Sequence, residues 1–321
     1  HRDELDTLQK TLRDYSGCSV LIYQQACAAE KRRKRKKTGL NSRPRRVVIH
    51  EEICEGCGDC SAQSNCLSVL PKATPLGRKR QLDQRRCNLD YSCVKGFCPS
   101  FVSVLNAVPK QRTAEDNIEI LFEPLPAVSL PDLTRPWNTV VSGVGGTGVL
   151  TVTALIAMAA HVEKKGCATL NQSGLAQKFG AVVSHVRIAQ QQEDIKAVRV
   201  PAGEADLLLG CDLVVSTGYD TMGKTAIGRT HAIINDAALP TAAFIHNPDA
   251  ELPTATMRAH IEEQTGATNV VFVNATEIAE QLLGDSLYVN LFLLGVAFQQ
   301  GKIPVSAAAL EAAIELNGKS T

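Results

Sequence analysis

The 321 residues suffice for two or three domains, and a hydrophobic content of 44% supplies a real core although aromatics make up only 4%. A net charge of +1 carries no global attraction to nucleic acid or to a membrane surface, so a basic partner site has to come from local clustering. No apolar run approaches a membrane span, and the charged first residues do not read as a signal peptide. Eleven cysteines in such a chain read as metal ligands and buried thiols of a reducing cytoplasm rather than as disulfides.

Leu5, Leu8 and Leu12 predict a helix over 3–14, and the apolar run Cys18–Tyr23 predicts a buried strand. These two elements are too little to fold alone and are expected to end a longer polypeptide. Lys31 to Lys37 is an unbroken run of seven cations, with Arg43, Arg45 and Arg46 close behind. Such a run suggests a nucleic-acid arm, but with no basic bias elsewhere in the chain a solvated connector is the preferred reading. A short strand over 47–49 then leads into the cysteine segment.

Seven cysteines fall between Cys54 and Cys98. Cys54, Cys57 and Cys60 stand at intervals of three residues, which lets three thiolates fold over one face of a cubane cluster. A distant Cys-Pro, here Cys98-Pro99, supplies the fourth ligand in bacterial-type ferredoxins, so Cys54, Cys57, Cys60 and Cys98 are assigned to one 4Fe–4S cluster. Cys66, Cys87 and Cys93 remain, one short of a second full set, because two cubanes need about eight thiolates. They hold a second cluster with Asp90 or an outside ligand, or they form a metal-free group. Zinc is the rival metal, although a triple C-x2-C-x2-C run leaves its middle cysteine redundant at a tetrahedral ion. Cys18, Cys27, Cys167 and Cys211 are isolated in apolar contexts and are expected in cores.

The polar insert between Cys66 and Cys87, with Pro71, Pro75 and Gly77, predicts a hairpin or loop, and a strand follows near 102–105. Residues 109–136 are proline-rich and read as a linker. From Trp137 onward, strands over 138–142, 167–172, 184–189, 195–200, 212–217, 231–235 and 269–274 alternate with helices over 147–163, 286–300 and 305–317. That pattern predicts a doubly wound, mainly parallel α/β sheet. The expected domains are 1–46, 47–108, a linker over 109–136, and 137–321.

Gly143, Gly145, Gly146, Thr147 and Gly148 join the first of these strands to an apolar helix. Glycines there let the backbone turn and bring amides onto a phosphate at the positive helix end. NAD is not expected: the spacing is one residue off, and Asn171-Gln172 stand where an acidic residue would hold the ribose. The alternative is that these glycines serve only tight strand-to-helix packing. A third stretch, Ser173–Ala181, lies at the carboxyl edge of the sheet, where open α/β sheets bind ligands. Lys178 belongs to it, and on the strand that follows His185 and Arg187 share a face from which both could meet an anion, or could make a polar sheet face or subunit contact. No Ser-His-Asp or paired-carboxylate arrangement stands out, so no catalytic residue is assigned.

The cysteine run, with Asn65-Cys66-Leu67-Ser68, Cys87-Asn88, Asp90-Tyr91-Ser92-Cys93 and Lys95 to Phe101, closely resembles the ferredoxin-like segment of the fused bacterial indolepyruvate ferredoxin oxidoreductases. The Gly143–Gly148 loop, Gly174-Leu175-Ala176-Gln177-Lys178 and Val182 to Arg187 resemble the gamma-type domain of the 2-oxoacid:acceptor oxidoreductases. Ala28 to Arg33 is similar to the tail of that family's thiamine-diphosphate domain. The resemblance implies oxidative decarboxylation of a 2-oxoacid on thiamine diphosphate and magnesium held outside this chain. Electrons then pass through 4Fe–4S clusters to ferredoxin and the acyl group to coenzyme A. It implies as partners ferredoxin, the thiamine-binding portion and further copies of the enzyme, with no membrane or nucleic acid. Phe179 departs from the family, standing where a smaller residue is expected.

Overall fold

The computed structural model describes residues 4–24, 34, 45–66, 68–84, 87–107, 125–174, 180–237, 244, 247, 250–283 and 286–318. The chain divides into two compact units, residues 1–44 and 45–321. In the first, the helix Leu5–Arg13 carries an Asp6–Lys10 ion pair one turn apart at 2.6 Å, and no residue of it is buried. The strand expected over 18–23 is irregular and exposed, with Val20 and Ile22 at 76% and 85%. A strand needs a ladder partner, and no strand pairs with it among the described residues. Cys18 is accordingly exposed rather than in a core. Cys27 and the basic run, apart from Lys34, lie outside the described residues.

The second unit opens with the cysteine segment. Strand β1 (Arg45–Ile49) pairs antiparallel with β4 (Phe101–Leu105), bringing the two ends of the segment side by side. Between them β2 (Val69–Thr74) and β3 (Gly77–Leu82) form the hairpin that Pro75 and Gly77 predict, in register from Val69↔Leu82 to Thr74↔Gly77. Cys60, Val69 and Cys93 make its small core, with Ile49, Cys66, Leu82 and Phe101 packed around them.

The larger sheet has the order β10-β9-β8-β5-β7-β6, with β5 Trp137–Val144, β6 Gly166–Ser173, β7 Ala181–Ala189, β8 Leu207–Gly210, β9 His231–Asn235 and β10 Val270–Val273. Strand β7 runs against β5 and β6, so five of the six strands point one way. Its central strands are buried on both faces, which explains runs such as Leu207-Leu208-Leu209. Helices Val149–Val162, Val289–Gln299 and Ala307–Leu316 cover one face around Leu155, Ile156, Leu207, Leu209 and Leu293. Val140, Leu208, Ile234 and Ile261 form the core on the other face, where the helix Thr254–Thr265 packs. The fold is thus the doubly wound, mainly parallel α/β arrangement that the alternation of elements predicts.

Two expected strands are absent. The run 212–217 holds a short helix, Leu213–Ser216, because Asp212 accepts the Val215 amide at 2.9 Å and caps it. The neighbouring strand is instead Leu207–Gly210. Residues 195–200 are irregular, and their backbone groups bond side chains of β7 rather than a ladder. In the proline-rich stretch, residues 125–136 are described and anchored: Pro126 O accepts from Gln299 at 2.9 Å, and Arg135 forks onto Asp206.

Candidate functional site

The loop from Cys54 to Cys60 is held at both ends. His50 N donates to Ser100 O at 2.8 Å, Cys54 N donates to His50 O at 3.0 Å, and Cys60 lies in the short helix Asp59–Ser64. Inside the loop Gly56 adopts φ +75°, and its amide donates to Cys54 Sγ at 3.4 Å. The Leu89 amide makes the same kind of bond to Cys87 Sγ, also at 3.4 Å, and Cys98 Sγ lies 3.0 Å from Ser100 Oγ. Cys54, Cys60 and Cys93 are buried, Cys66, Cys87 and Cys98 half-buried, and Cys57 exposed.

The thiols interact in two neighbourhoods. Cys60 feels Cys54 and Cys98, whereas Cys93 feels first Cys66 and Cys87 and only then Cys60. Burial dominates both: it pushes the Cys60 thiol up to about 11 and the Cys93 thiol up to about 12. Thiols held this high need a cationic centre to ionise at neutral pH, which is what a bound metal provides. Arg80 already pulls against burial at Cys60. Among the described residues no three His, Cys, Asp or Glu side chains close on one point as a single metal ion requires.

Asp90 stands three residues after Cys87 and three before Cys93, the spacing that separates Cys54, Cys57 and Cys60. Leu89 and Tyr91 on either side of it have φ of 56° and 58°, an arrangement non-glycine residues adopt only when their surroundings impose it. Asp90 Oδ1 accepts from Ser92 N and Oγ at 3.2 and 2.9 Å, and its charge helps burial to raise the Cys87 thiol. These residues fit an iron–sulfur group in donor chemistry: soft thiolates in two sets, amides aimed at sulfur, and a carboxylate in the cysteine spacing.

The glycine loop turns from β5 into the helix Val149–Val162. A Cβ on Gly143 would come within 2.7 Å of Val149 and 2.9 Å of Cys211, so that position serves tight packing. Gly148 caps the helix at φ 105°. The loop is pinned by Gly145 N to Gly180 O at 2.7 Å, by Thr147 Oγ1 to Val144 O at 2.8 Å and by Asn290 Nδ2 to Thr147 O at 3.1 Å. Of the first-turn amides of this long helix, that of Thr151 already donates to Gly148 O at 3.0 Å, whereas those of Val149 and Leu150 have no intrahelical acceptor, as at any helix start. An open groove of about 420 Å3 lies farther along the helix, lined by Thr153, Ala157, His161, Thr169 and Asn171, one to three turns from the loop.

His185 and Arg187 share one face of β7, as strand alternation predicts, and both are enclosed by protein. His185 Nδ1 accepts the Val200 amide at 3.3 Å, so Nε2 carries the proton and donates to Gln172 Oε1 at 3.2 Å. Burial, then Lys224 and Arg199, lower this imidazole to about 4, so it is neutral at physiological pH. Arg187 donates Nε to Asn138 Oδ1 and NH1 to Ala197 O, both at 2.8 Å. These contacts hold the irregular 195–200 segment over the sheet. Lys178 and Phe179 lie outside the described residues.

Arg80 escaped the sequence reading. Its signal was alternation: in Arg78-Lys79-Arg80-Gln81-Leu82, Arg80 shares a strand face with Leu82, which packs in the cysteine core.

Residues 138–320 match the family model for pyruvate ferredoxin/flavodoxin oxidoreductase. The indolepyruvate oxidoreductase subunit IorB of Archaeoglobus fulgidus is 31% identical over 187 residues, which are 57% of this chain and 86% of that protein. The subunit of the same name from Methanothermobacter thermautotrophicus is 28% identical over 54% of this chain and 84% of its own length. Among solved structures, the pyruvate oxidoreductase subunit PORC of Thermotoga maritima aligns with 57% of this chain and 86% of its own at 16% identity and a TM-score of 0.39. The 2-oxoglutarate:ferredoxin oxidoreductase of Magnetococcus marinus aligns with 59% of this chain and 28% of its own at 14% identity and a TM-score of 0.42. The family match leaves residues 1–137, and with them the cysteine segment, outside it. The chain belongs to the pyruvate ferredoxin/flavodoxin oxidoreductase family, as the resemblance of its glycine loop implies, and is a component of a 2-oxoacid oxidoreductase.

Proposed function

We propose that this chain is the electron-relay and gamma-type portion of a thiamine-diphosphate-dependent ferredoxin oxidoreductase acting on indolepyruvate or a related arylpyruvate. The observation that supports this reading most is that six thiols in two neighbourhoods, Cys54, Cys60 and Cys98 and then Cys66, Cys87 and Cys93, sit in the same compact unit as the family domain. Cys54, Cys57, Cys60 and Cys98 hold one 4Fe–4S cluster, and Cys66, Cys87 and Cys93 hold a second with Asp90 as the remaining ligand. When bound, such clusters supply one-electron transfer, which suits a two-electron oxidation carried out elsewhere. Residues 47–108 are then a ferredoxin-like domain, 109–136 its linker, and 137–321 the gamma-type domain.

The chain's own residues exclude water from Cys54, Cys60 and Cys93 and aim amides at two of the sulfurs. The loop of Gly145, Gly146, Thr147 and Gly148 receives a phosphate of coenzyme A at the start of a 14-residue helix, with Lys178 as a further cation for it. Thiamine diphosphate and magnesium belong to a partner portion outside this chain, and ferredoxin is the electron acceptor. The enzyme is a cytoplasmic homo-oligomer. Among the described residues no helix is long and apolar enough to cross a membrane.

Combining the purified chain with its thiamine-binding portion tests the reading. Ferredoxin reduction has to depend on both an arylpyruvate and coenzyme A, and to be lost in Cys54→Ser. Failure with every 2-oxoacid tried contradicts it.

A further inference from the structure

Strand β3 of the hairpin carries two arginines on one face, and both reach the α/β domain. Arg78 donates to Ala250 O at 3.2 Å and to Glu251 Oε1 at 3.1 Å. The Arg80 guanidinium lies 4.7 Å from the ring centroid of Phe244, which is itself buried. Arg80 is 1% exposed, the largest kind of side chain to be enclosed so fully among the described residues. A guanidinium keeps its charge at any ordinary pH, and enclosing it is costly, so burial of this kind is weak evidence of a stabilising role. The Cys54–Cys60 loop rides on β3 where Gly56 meets the Arg78 carbonyl, and Leu82, on the same face of β3 as Arg80, packs against the core that Cys60, Val69 and Cys93 form.

We propose that Arg80 is a positioning residue with two linked effects: its charge raises the reduction potential of the cluster held by Cys54, Cys57, Cys60 and Cys98, and its stacking on Phe244 fastens the cysteine segment to the α/β domain. The first effect rests on the iron–sulfur reading given above. Reduction adds a negative charge to the cluster, and a fixed cation in a water-poor setting favours that state. The stacking depends on a planar guanidinium, which lysine does not supply.

The test uses the purified chain with reconstituted clusters, measuring iron content first. Redox titration followed by electron paramagnetic resonance then compares wild type with Arg80→Met and Arg80→Lys, and hydrogen exchange reports on Phe244, Ala250 and Glu251. Arg80→Met should lower the potential enough for a tenfold fall in the reduced-to-oxidised ratio at fixed ambient potential, about 59 mV for one electron. Arg80→Lys should recover most of that shift and still lose exchange protection at Phe244, Ala250 and Glu251. Wild-type potential in an iron-loaded Arg80→Met overturns the electrostatic role, and undiminished protection in both variants overturns the docking role. If Arg80→Met takes up no iron, Arg80→Lys decides: iron uptake near the wild-type potential supports the proposal, and no uptake makes Arg80 a packing residue only. Absence of iron from the wild type sinks the iron–sulfur reading and the electrostatic effect with it, while the exchange arm still judges the docking.

Discussion

Gly56 packs so closely against the backbone of Arg78 that a Cβ on Gly56 would overlap the Arg78 carbonyl oxygen. The contact fixes the Cys54–Cys60 loop on the hairpin, and φ +75° adds a second reason for glycine. Gly56→Ala is expected to destabilise this segment by roughly 3 kcal/mol, from left-handed strain plus backbone displacement. Iron bound per chain should fall at least severalfold. The melting transition of the α/β domain should stay within a few degrees, because none of its core residues is involved.

Asp206 tests the α/β domain separately. Its carboxylate, 2% exposed, takes both Arg135 nitrogens at 3.1 and 2.7 Å, Arg229 Nε at 3.0 Å and the Asn138 amide at 2.9 Å. Asp206→Ala leaves the buried Asn138 amide and two cations without their acceptor, and should cost roughly 3 kcal/mol in denaturant unfolding. Asp206→Asn should recover part of that loss, since it retains an acceptor. The same carboxylate anchors the end of the proline-rich stretch through Arg135, so Asp206→Ala should also open residues 125–136 to proteolysis.

Much of this architecture is legible in the sequence. Strand β5, the glycine loop and the helix after it are continuous apolar runs with a single break, and β9 and β10 are short β-branched runs between loops. Strand β8 is hidden because it has four residues and the apolar run beyond it looks more strand-like. Only the Asp212 side chain turns that run into a helix, and capping competes poorly with periodicity when read by eye. Pairing order is less legible still: β7 inserts between β5 and β6, which no local pattern reveals. At the site, cysteine spacing reveals the donor set, whereas the enclosure of His185 and Arg187 depends on a segment that reads as strand and folds as an irregular cover.

That enclosure makes stability pH-dependent. His185 is held to about 4 in the folded protein against an ordinary value of 6.5, so between these values the unfolded chain binds more protons. Stability is therefore complete above pH 6.5 and falls as the pH drops toward 4, by up to roughly 3 kcal/mol at about 1.4 kcal/mol per pH unit. His231, lowered by burial and then Lys302, acts in the same direction. Urea midpoints at pH 7 and 4.5 measure the drop. His185→Gln should flatten most of it, and an unchanged slope in that variant means His185 is not its source.

Asp90 decides whether the second thiol group is complete. Asp90→Ala is expected to remove about four iron per chain, one cubane, while Asp90→Cys keeps them because thiolate is the usual cluster ligand. Iron content unaffected by Asp90→Ala means that an outside ligand or a metal-free group is present instead.

Iron and acid-labile sulfide, measured with zinc on the same chain after anaerobic reconstitution, test whether the seven cysteines hold clusters. Iron and sulfide are expected in equal amounts, about eight of each per chain for two cubanes, with a reduced-state resonance lost in Cys54→Ser. Stoichiometric zinc with neither iron nor sulfide would contradict the cluster assignment.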